Sequence, residues 1–398
     1  MKDESIIYLD YNSTTPVASE VVSAITESLQ RDWANPSSAS AAGHRARETI
    51  HRARAAVARL VNAADAADIV FTSGGTESNN MAIHSTVEWG RQFITTPHVV
   101  MSNVEHVATV EPVRRLADKG VISYTEVAVN SDGCLEAADV VAAVKPDTVL
   151  VSVMMANNET GVVFPIREIA RLLKRVNDSC KHKVWLHVDA AQAVGKLPVD
   201  VRYLQVDYLT IVGHKFYGPR IGALYVHRNL GAPVTPVVWG GGQEAGLRPG
   251  TENTPMIAGL GQAATLVVDN LQTYTDTMRN TRDYLVKQLQ EQTGCVVNCC
   301  QSPRLPNTAS MSWSQCTLSG SELLAQCPTL VASTTAACHD QTQLSSVLLA
   351  SGVPENLAYS TIRLSVGRET TCADIDKAVE ELVKALKQTT STESSISS

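Results

Sequence analysis

Between residues 37 and 230 the chain alternates helically spaced apolar positions with short apolar runs. Recurrence every three or four residues predicts helices over 46–61, 77–89, 110–118, 135–144 and 166–177. Runs rich in β-branched residues predict strands over 69–71, 98–102, 149–154, 184–188, 208–212 and 223–226. These runs lack strict alternation, as expected of strands covered by helices on both faces. Their order implies α/β architecture with a mostly parallel, doubly wound sheet. Ligands of such sheets bind outside the carboxyl ends of the strands.

Past Gly240 the texture changes. A loop rich in glycine and proline runs to Pro255, followed by one long helical pattern over 256–292. The last hundred residues read as a smaller α+β unit, with strands at 309–313 and 361–366 and a helix over 371–387. The tail 388–398 is nearly all Ser and Thr and is expected to be disordered. The organisation expected is a large unit, 17–265, and a small one built from 1–16 and 266–387.

Composition narrows the class. A hydrophobic fraction of 44% with 18% charged residues suits a globular protein, and the net charge of -7 disfavours nucleic-acid or anionic-membrane partners. No run approaches the ~18 apolar residues of a membrane span. The charged N-terminus lacks signal-peptide or transit-peptide character, so a cytosolic location is expected. The nine cysteines are irregularly spaced, which suits reduced thiols, and Cys295, Cys299 and Cys300 make a poor zinc set; no metal is expected.

Three features fall at predicted carboxyl ends of strands. Ser73-Gly74-Gly75-Thr76-Glu77 opens a helix, and its glycines and free N–H groups suit either a phosphate or a plain helix cap. The apolar run ending at Asp189 places a carboxylate that needs a donor partner. That partner could be the protonated ring nitrogen of pyridoxal phosphate, or the N–H groups of a helix the residue caps. Lys215 follows the strand at 208–212 and is framed by Val212, Phe216 and Tyr217. Desolvation there favours a neutral amine able to form a Schiff base, though a structural lysine would also fit. Cradle, acid and lysine in that order are far more specific than any one alone.

With these in view, the chain resembles the cysteine desulfurase and selenocysteine lyase family of fold-type-I, class-V aminotransferase-like enzymes, which implies a seven-stranded, mostly parallel sheet in the large unit and a smaller α+β unit after it. The likeness runs from Tyr8 to Lys387. It is carried by Leu9-Asp10-Tyr11-Asn12-Ser13-Thr14-Thr15-Pro16, Asn35-Pro36-Ser37-Ser38, the Gly-Gly-Thr-Glu-Ser turn and Glu105-His106. Ala156-Asn157-Asn158-Glu159-Thr160-Gly161, Asp189 to Gln192, Gly213-His214-Lys215, Arg248 to Asn253 and Ile362-Arg363-Leu364-Ser365 continue it.

The resemblance implies pyridoxal 5'-phosphate held covalently on Lys215, with Asp189 facing its ring nitrogen and His106 stacked on the ring. It implies Asn158 and Gln192 beside the phenolic oxygen, and Gly75, Thr76 and His214 on the phosphate. Thr251 would reach the phosphate site of a second copy, which implies a homodimer sharing its cofactor sites. Arg363 would clamp the substrate carboxylate, with Asn35 a weaker second contact. The family's reactive thiol would be Cys338, in Ala336-Ala337-Cys338-His339.

Catalysis would use Lys215, His106 and Cys338 to release alanine and the chalcogen, with an acceptor protein as a further expected partner. Valine at 212, where desulfurases often carry serine, and the Cys338 segment resemble the selenocysteine-specific branch. Val107, where that branch tends to carry an acid, departs from it and keeps activity on cysteine open. The competing expectations are an aminotransferase or decarboxylase of the same fold, which needs no thiol, and a scaffold without catalysis. Intact Lys215, Asp189 and His106 oppose the latter.

Overall fold

The computed structural model describes residues 6–334 and 344–394, with side chains described through 388. Its centre is a seven-stranded sheet. From edge to edge the strands are Ile69–Thr72, Gly222–Val226, Tyr208–Val212, Trp185–Asp189, Thr148–Met154, His98–Ser102 and Ser123–Val127. Gly222–Val226 runs antiparallel to both neighbours, and the remaining pairings are parallel.

Successive residues of each central strand enter different cores, because side chains alternate across a pleated sheet. Val70, Val99, Met101 and Tyr208 pack with Met81 and Ile83 of the helix Gly75–Gly90 on one face. Phe71, Val100, Leu209 and Ile211 pack on the other with residues of the helices Ala41–Leu60 and Ile166–Asn177. With both faces covered, apolar side chains are favourable at every position, and the alternation absent from the sequence has no reason to appear.

The long pattern after Pro255 is one helix, Thr254–Thr293, of 40 residues, ended by Gly294 in the left-handed conformation at φ 63°. Roughly 60 Å long at 1.5 Å per residue, it serves two cores. Ile257, Leu260 and Val267 pack against the large sheet, whereas Met278, Leu285 and Leu289 join Ile7, Leu9, Met311, Leu364 and Ile375 in the second. That second core lies on a three-stranded antiparallel sheet in which Thr308–Ser312 is central between Ile362–Ser365 and Val296–Val297. The N-terminal strand Ile7–Tyr8 pairs in parallel with Leu330–Val331.

Three elements differ from expectation. The edge strand Ser123–Val127 is polar and half exposed, so no apolar run marks it. The helix Ser19–Arg31 precedes the region where the alternating pattern begins. The last helix, Cys372–Ser394, extends past Lys387 into the Ser/Thr tail expected to be disordered. Neither Gly nor Pro occurs in that stretch, so a helix already nucleated can propagate through it. Residues 395–398 lie outside the described chain. No helix among the described residues is long and apolar enough to cross a membrane.

Candidate active site

A cavity of about 260 Å³ opens at the carboxyl end of the large sheet. Gly75, Thr76, His106, Asn158, Asp189, Gln192, His214, Lys215 and Arg363, all singled out from the sequence, line it. Asn12, Ser13 and Val212 complete much of the wall.

One end is shaped for an anion. The helix Gly75–Gly90 starts without a side-chain cap, so its first N–H groups and positive dipole end face the cavity mouth. A Cβ on Gly75 would lie 2.7 Å from Val212 Cγ2, so only glycine lets the helix start so close to this strand. His214 sits beside it with Nδ1 3.1 Å from Thr14 Oγ1. Burial, then Lys215 and Arg220, push the His214 imidazole down to about 4, so it is neutral at physiological pH.

Asp189 ends the strand Trp185–Asp189 and is buried. Its Oδ2 accepts from Asn79 Nδ2 at 2.8 Å and its Oδ1 from the Ala191 N–H at 2.9 Å. The helix-cap alternative is thus partly realised, in a turn two residues long, while the carboxylate still lines the cavity. Lys215 closes a short 3₁₀ turn after the next strand. Its Nζ donates to the carbonyls of Asn12 at 2.7 Å and Ser13 at 2.8 Å. These acceptors come from the N-terminal segment, about two hundred residues away in sequence.

His106 occupies the N-cap of the helix Val107–Asp118, where its Nδ1 accepts from the Ala108 N–H at 3.1 Å. With Nδ1 an acceptor, the proton of the neutral ring sits on Nε2. Next to it, Glu105 is buried and accepts through Oε1 from Ser102 Oγ at 2.6 Å and the Met154 N–H at 2.9 Å. Its Oε2 has no hydrogen-bond partner among the described residues. Burial pushes the Glu105 carboxyl up to about 8.

Arg363, on the edge strand Ile362–Ser365 of the small sheet, reaches into the same cavity. Its Nη2 donates to Asp10 Oδ1 at 2.6 Å and to Ser13 Oγ at 2.8 Å, and its Nη1 to the Asn158 carbonyl at 3.0 Å. Its Nε is buried and has no hydrogen-bond partner among the described residues. Gln192 donates through Nε2 to the Asn12 carbonyl at 2.9 Å, while its Oε1 accepts from Lys196 Nζ at 2.8 Å. Lys196 also donates to Asn12 Oδ1 at 3.1 Å; burial, then the charges of Lys215 and Arg363, push its amine well below the ordinary lysine range.

Two sequence candidates lie elsewhere. Asn35 is exposed, and its Oδ1 accepts from the Ser37 N–H at 2.9 Å, so its side chain shapes a turn rather than a cavity wall. Thr251 is exposed and lines a second cavity, about 320 Å³, with Arg220, Glu244 and Arg248. Cys338 lies outside the described residues. Of the described residues that flank this segment, Ser333 exchanges backbone hydrogen bonds with Arg363, and Ser345 Oγ donates to Glu159 at 2.5 Å. The eight described cysteines are free, and among the described residues no group of three His, Cys, Asp or Glu is arranged to hold a metal.

Asn12, Asn79, Lys196 and the buried His187 and Thr210 were not assigned roles from the sequence. Each reaches the site through contacts remote in the chain, and only Lys196, four residues after Gln192, left a local signal.

Comparison with known proteins agrees with this geometry. The model of the Aminotransferase class-V family matches residues 7–378. Selenocysteine lyase of Rattus norvegicus is 47% identical over 96% of this chain and 94% of its own length. The mitochondrial cysteine desulfurase of Eremothecium gossypii is 37% identical over 96% of this chain and 77% of its own. A solved NifS-like protein superposes with a TM-score of 0.87 at 31% identity, covering 96% of this chain and 99% of that one. The chain belongs to the class-V aminotransferase family.

Proposed function

We propose that this protein is a pyridoxal-phosphate-dependent selenocysteine lyase, converting L-selenocysteine to L-alanine and releasing selenium, as selenide when a reductant is present. The observation that carries the reading is the meeting of Lys215, Asp189, the uncapped helix start at Gly75 and Arg363 around one cavity. Identity of 46–48% to five vertebrate selenocysteine lyases supports selenocysteine as the substrate.

The residues fit the cofactor. N–H groups at Gly75 and Thr76, with neutral His214, suit its phosphate; Asp189 suits a protonated ring nitrogen; Lys215 offers the amine that binds its aldehyde. Bound there, pyridoxal phosphate supplies an electron sink for the substrate α-carbon, which labilises the bond between the β-carbon and selenium. Lys215 moves the α-proton, its amine oriented by the Asn12 and Ser13 carbonyls. Gln192 and Asn158 flank the side bearing the phenolic oxygen. Arg363 receives the substrate carboxylate; Asn35, engaged in its own turn outside the cavity wall, takes no part in this reading. His106 forms the stacking wall and supports proton movement from Nε2; protonating Nδ1 as well costs the cap to Ala108. Cys338 acts on the departing selenium, as acid or as acceptor.

The same chemistry on cysteine, with Cys338 holding sulfur as a persulfide for transfer, is the second reading. Val107, which opens the helix after His106 where an acid would favour strict discrimination, supports it. The proposal includes a cytosolic homodimer in which Thr251 completes the partner's phosphate site. It also includes a large unit, 17–265, holding the cofactor, a small unit, 1–16 and 266–387, bearing the cysteine segment, and a protein acceptor for the released atom.

Selenide, sulfide and alanine release should be measured side by side from both amino acids. A kcat/KM for selenocysteine far above that for cysteine supports the lyase reading, and comparable values establish the second. Absence of alanine from either, or of a borohydride-fixed adduct on Lys215, overturns both.

A further inference from the structure

Behind Asp189, away from the cavity, lies a set of polar side chains with almost no solvent contact. Asn79, Thr109, Thr210 and His187 are 0% exposed and Ser152 is 1% exposed. Burying so many polar groups is costly unless every donor finds an acceptor. The arrangement also fixes where each proton lies.

The amide of Asn79 gives its Nδ2 to Asp189 Oδ2 at 2.8 Å and to Thr109 Oγ1 at 3.0 Å. Turned over, it would set its oxygen against a carboxylate, so the orientation is determined. Asn79 Oδ1 therefore faces Thr210 and accepts that residue's single hydroxyl proton at 2.7 Å. With its proton spent, Thr210 Oγ1 can only accept from His187 Nε2, 3.0 Å away. Nε2 then carries the imidazole proton, and bare Nδ1 accepts from Ser152 Oγ at 2.8 Å. Burial pushes the His187 ring down to about 4, which agrees with one proton on the ring.

We infer that Ser152, His187, Thr210 and Asn79 form a one-directional donor chain that fixes the orientation of Asp189 toward the cofactor. Every hydrogen bond in it points toward the carboxylate. The chain reaches across three neighbouring strands, Thr148–Met154, Trp185–Asp189 and Tyr208–Val212, and onto the helix that opens the phosphate end. These are positioning residues. Their consequence is that the Asp189 oxygen bonded to Asn79 cannot rotate toward solvent without breaking a buried chain. The inference rests on Asp189 as partner of the ring nitrogen, but its core is a tautomer that exists without cofactor.

The test begins with ¹⁵N NMR of histidine-labelled, cofactor-free protein. His187 is expected as the Nε2–H tautomer, without titration from pH 6 to 9. An Nδ1–H tautomer, or a titration in that range, overturns the chain. In the second arm, Thr210→Val removes the donor to Asn79 and the acceptor for His187 at nearly constant shape. Its dissociation constant for pyridoxal phosphate should rise about tenfold, as an unsatisfied buried partner implies, and Thr210→Ser should restore it. A folded Thr210→Val protein that binds within twofold of wild type overturns the positioning role. Should Thr210→Val fail to fold, Thr210→Ser must still keep the Nε2–H tautomer and wild-type binding; loss of either in a folded protein overturns the inference. If wild-type protein binds no pyridoxal phosphate, the cofactor reading and the positioning role fail together, while the tautomer still reports on the chain itself.

Discussion

Arg363 is already paired with Asp10, Nη2 to Oδ1 at 2.6 Å, and both side chains are nearly buried. The pair is held by Ser13 on one side and the Asn158 carbonyl on the other. A substrate carboxylate bound there, as proposed, would meet a guanidinium whose plane is set in advance. Arg363→Lys keeps the charge but loses the fork, and a lysine cannot hold Asp10, Ser13 and Asn158 while pairing a second carboxylate. KM for selenocysteine should rise at least about tenfold, with kcat less affected. Steady-state kinetics check this, and an unchanged KM removes Arg363 from the carboxylate site.

At the end of the cavity proposed for the phosphate, the critical distance is between Gly75 and Val212. Gly75→Ala brings a methyl to 2.7 Å from Val212 Cγ2, an overlap that must displace the strand or the helix start. Overpacking of this kind costs about 1–3 kcal/mol, and pyridoxal phosphate should bind about tenfold more weakly. Adding Val212→Ala should recover most of the loss. Titration of cofactor-free single and double variants decides the matter, and equal losses in both would place the damage elsewhere.

Glu105 makes stability depend on pH. Its carboxyl is raised by burial from the ordinary 4.5 to about 8, so the folded protein keeps a proton that the unfolded chain gives up. The contribution is fully present below pH 4.5 and is lost as pH rises toward 8. Glu105→Gln cannot ionise and should flatten the decline across that window. Urea unfolding at several pH values measures the slope. An unchanged slope would mean that Glu105 is charged in the fold.

Lys196 acts with the opposite sign. Its amine is lowered, so the unfolded chain binds a proton that the folded one does not, and stability should rise with pH up to the ordinary lysine value of 10.5. Lys196→Met should lose that rise below pH 10.5 in the same experiment. It should also free Gln192, whose Oε1 it holds at 2.8 Å, and lower kcat. A variant with the wild-type pH slope would show Lys196 charged and solvated.

Much of this site could be read from the chain because its key residues end strands. Asp189 and Lys215 follow apolar, β-branched runs, and burial on both sheet faces makes such runs conspicuous. The Gly74-Gly75 turn was legible for a different reason: a backbone approach excludes other residues. Asn79 and Thr210 were not legible, since a buried polar residue on a helix or strand has the same local sequence whether or not it meets a partner more than a hundred positions away. The edge strand Ser123–Val127 escaped notice because half its surface faces water. Asn35, within a recognisable motif, spends its side chain on a turn, which spacing alone does not separate from a binding role.

The carbonyls that orient Lys215 belong to a strand-end segment stitched to the far end of the chain, with Asp10 bridging to Ser365 and the Asn12 N–H reaching Ser365 Oγ. During synthesis that seam cannot close until the ribosome has released Ser365, 353 positions after Asn12. A nascent chain therefore carries an unfinished pocket well after the last strand of the central sheet, Gly222–Val226, has emerged.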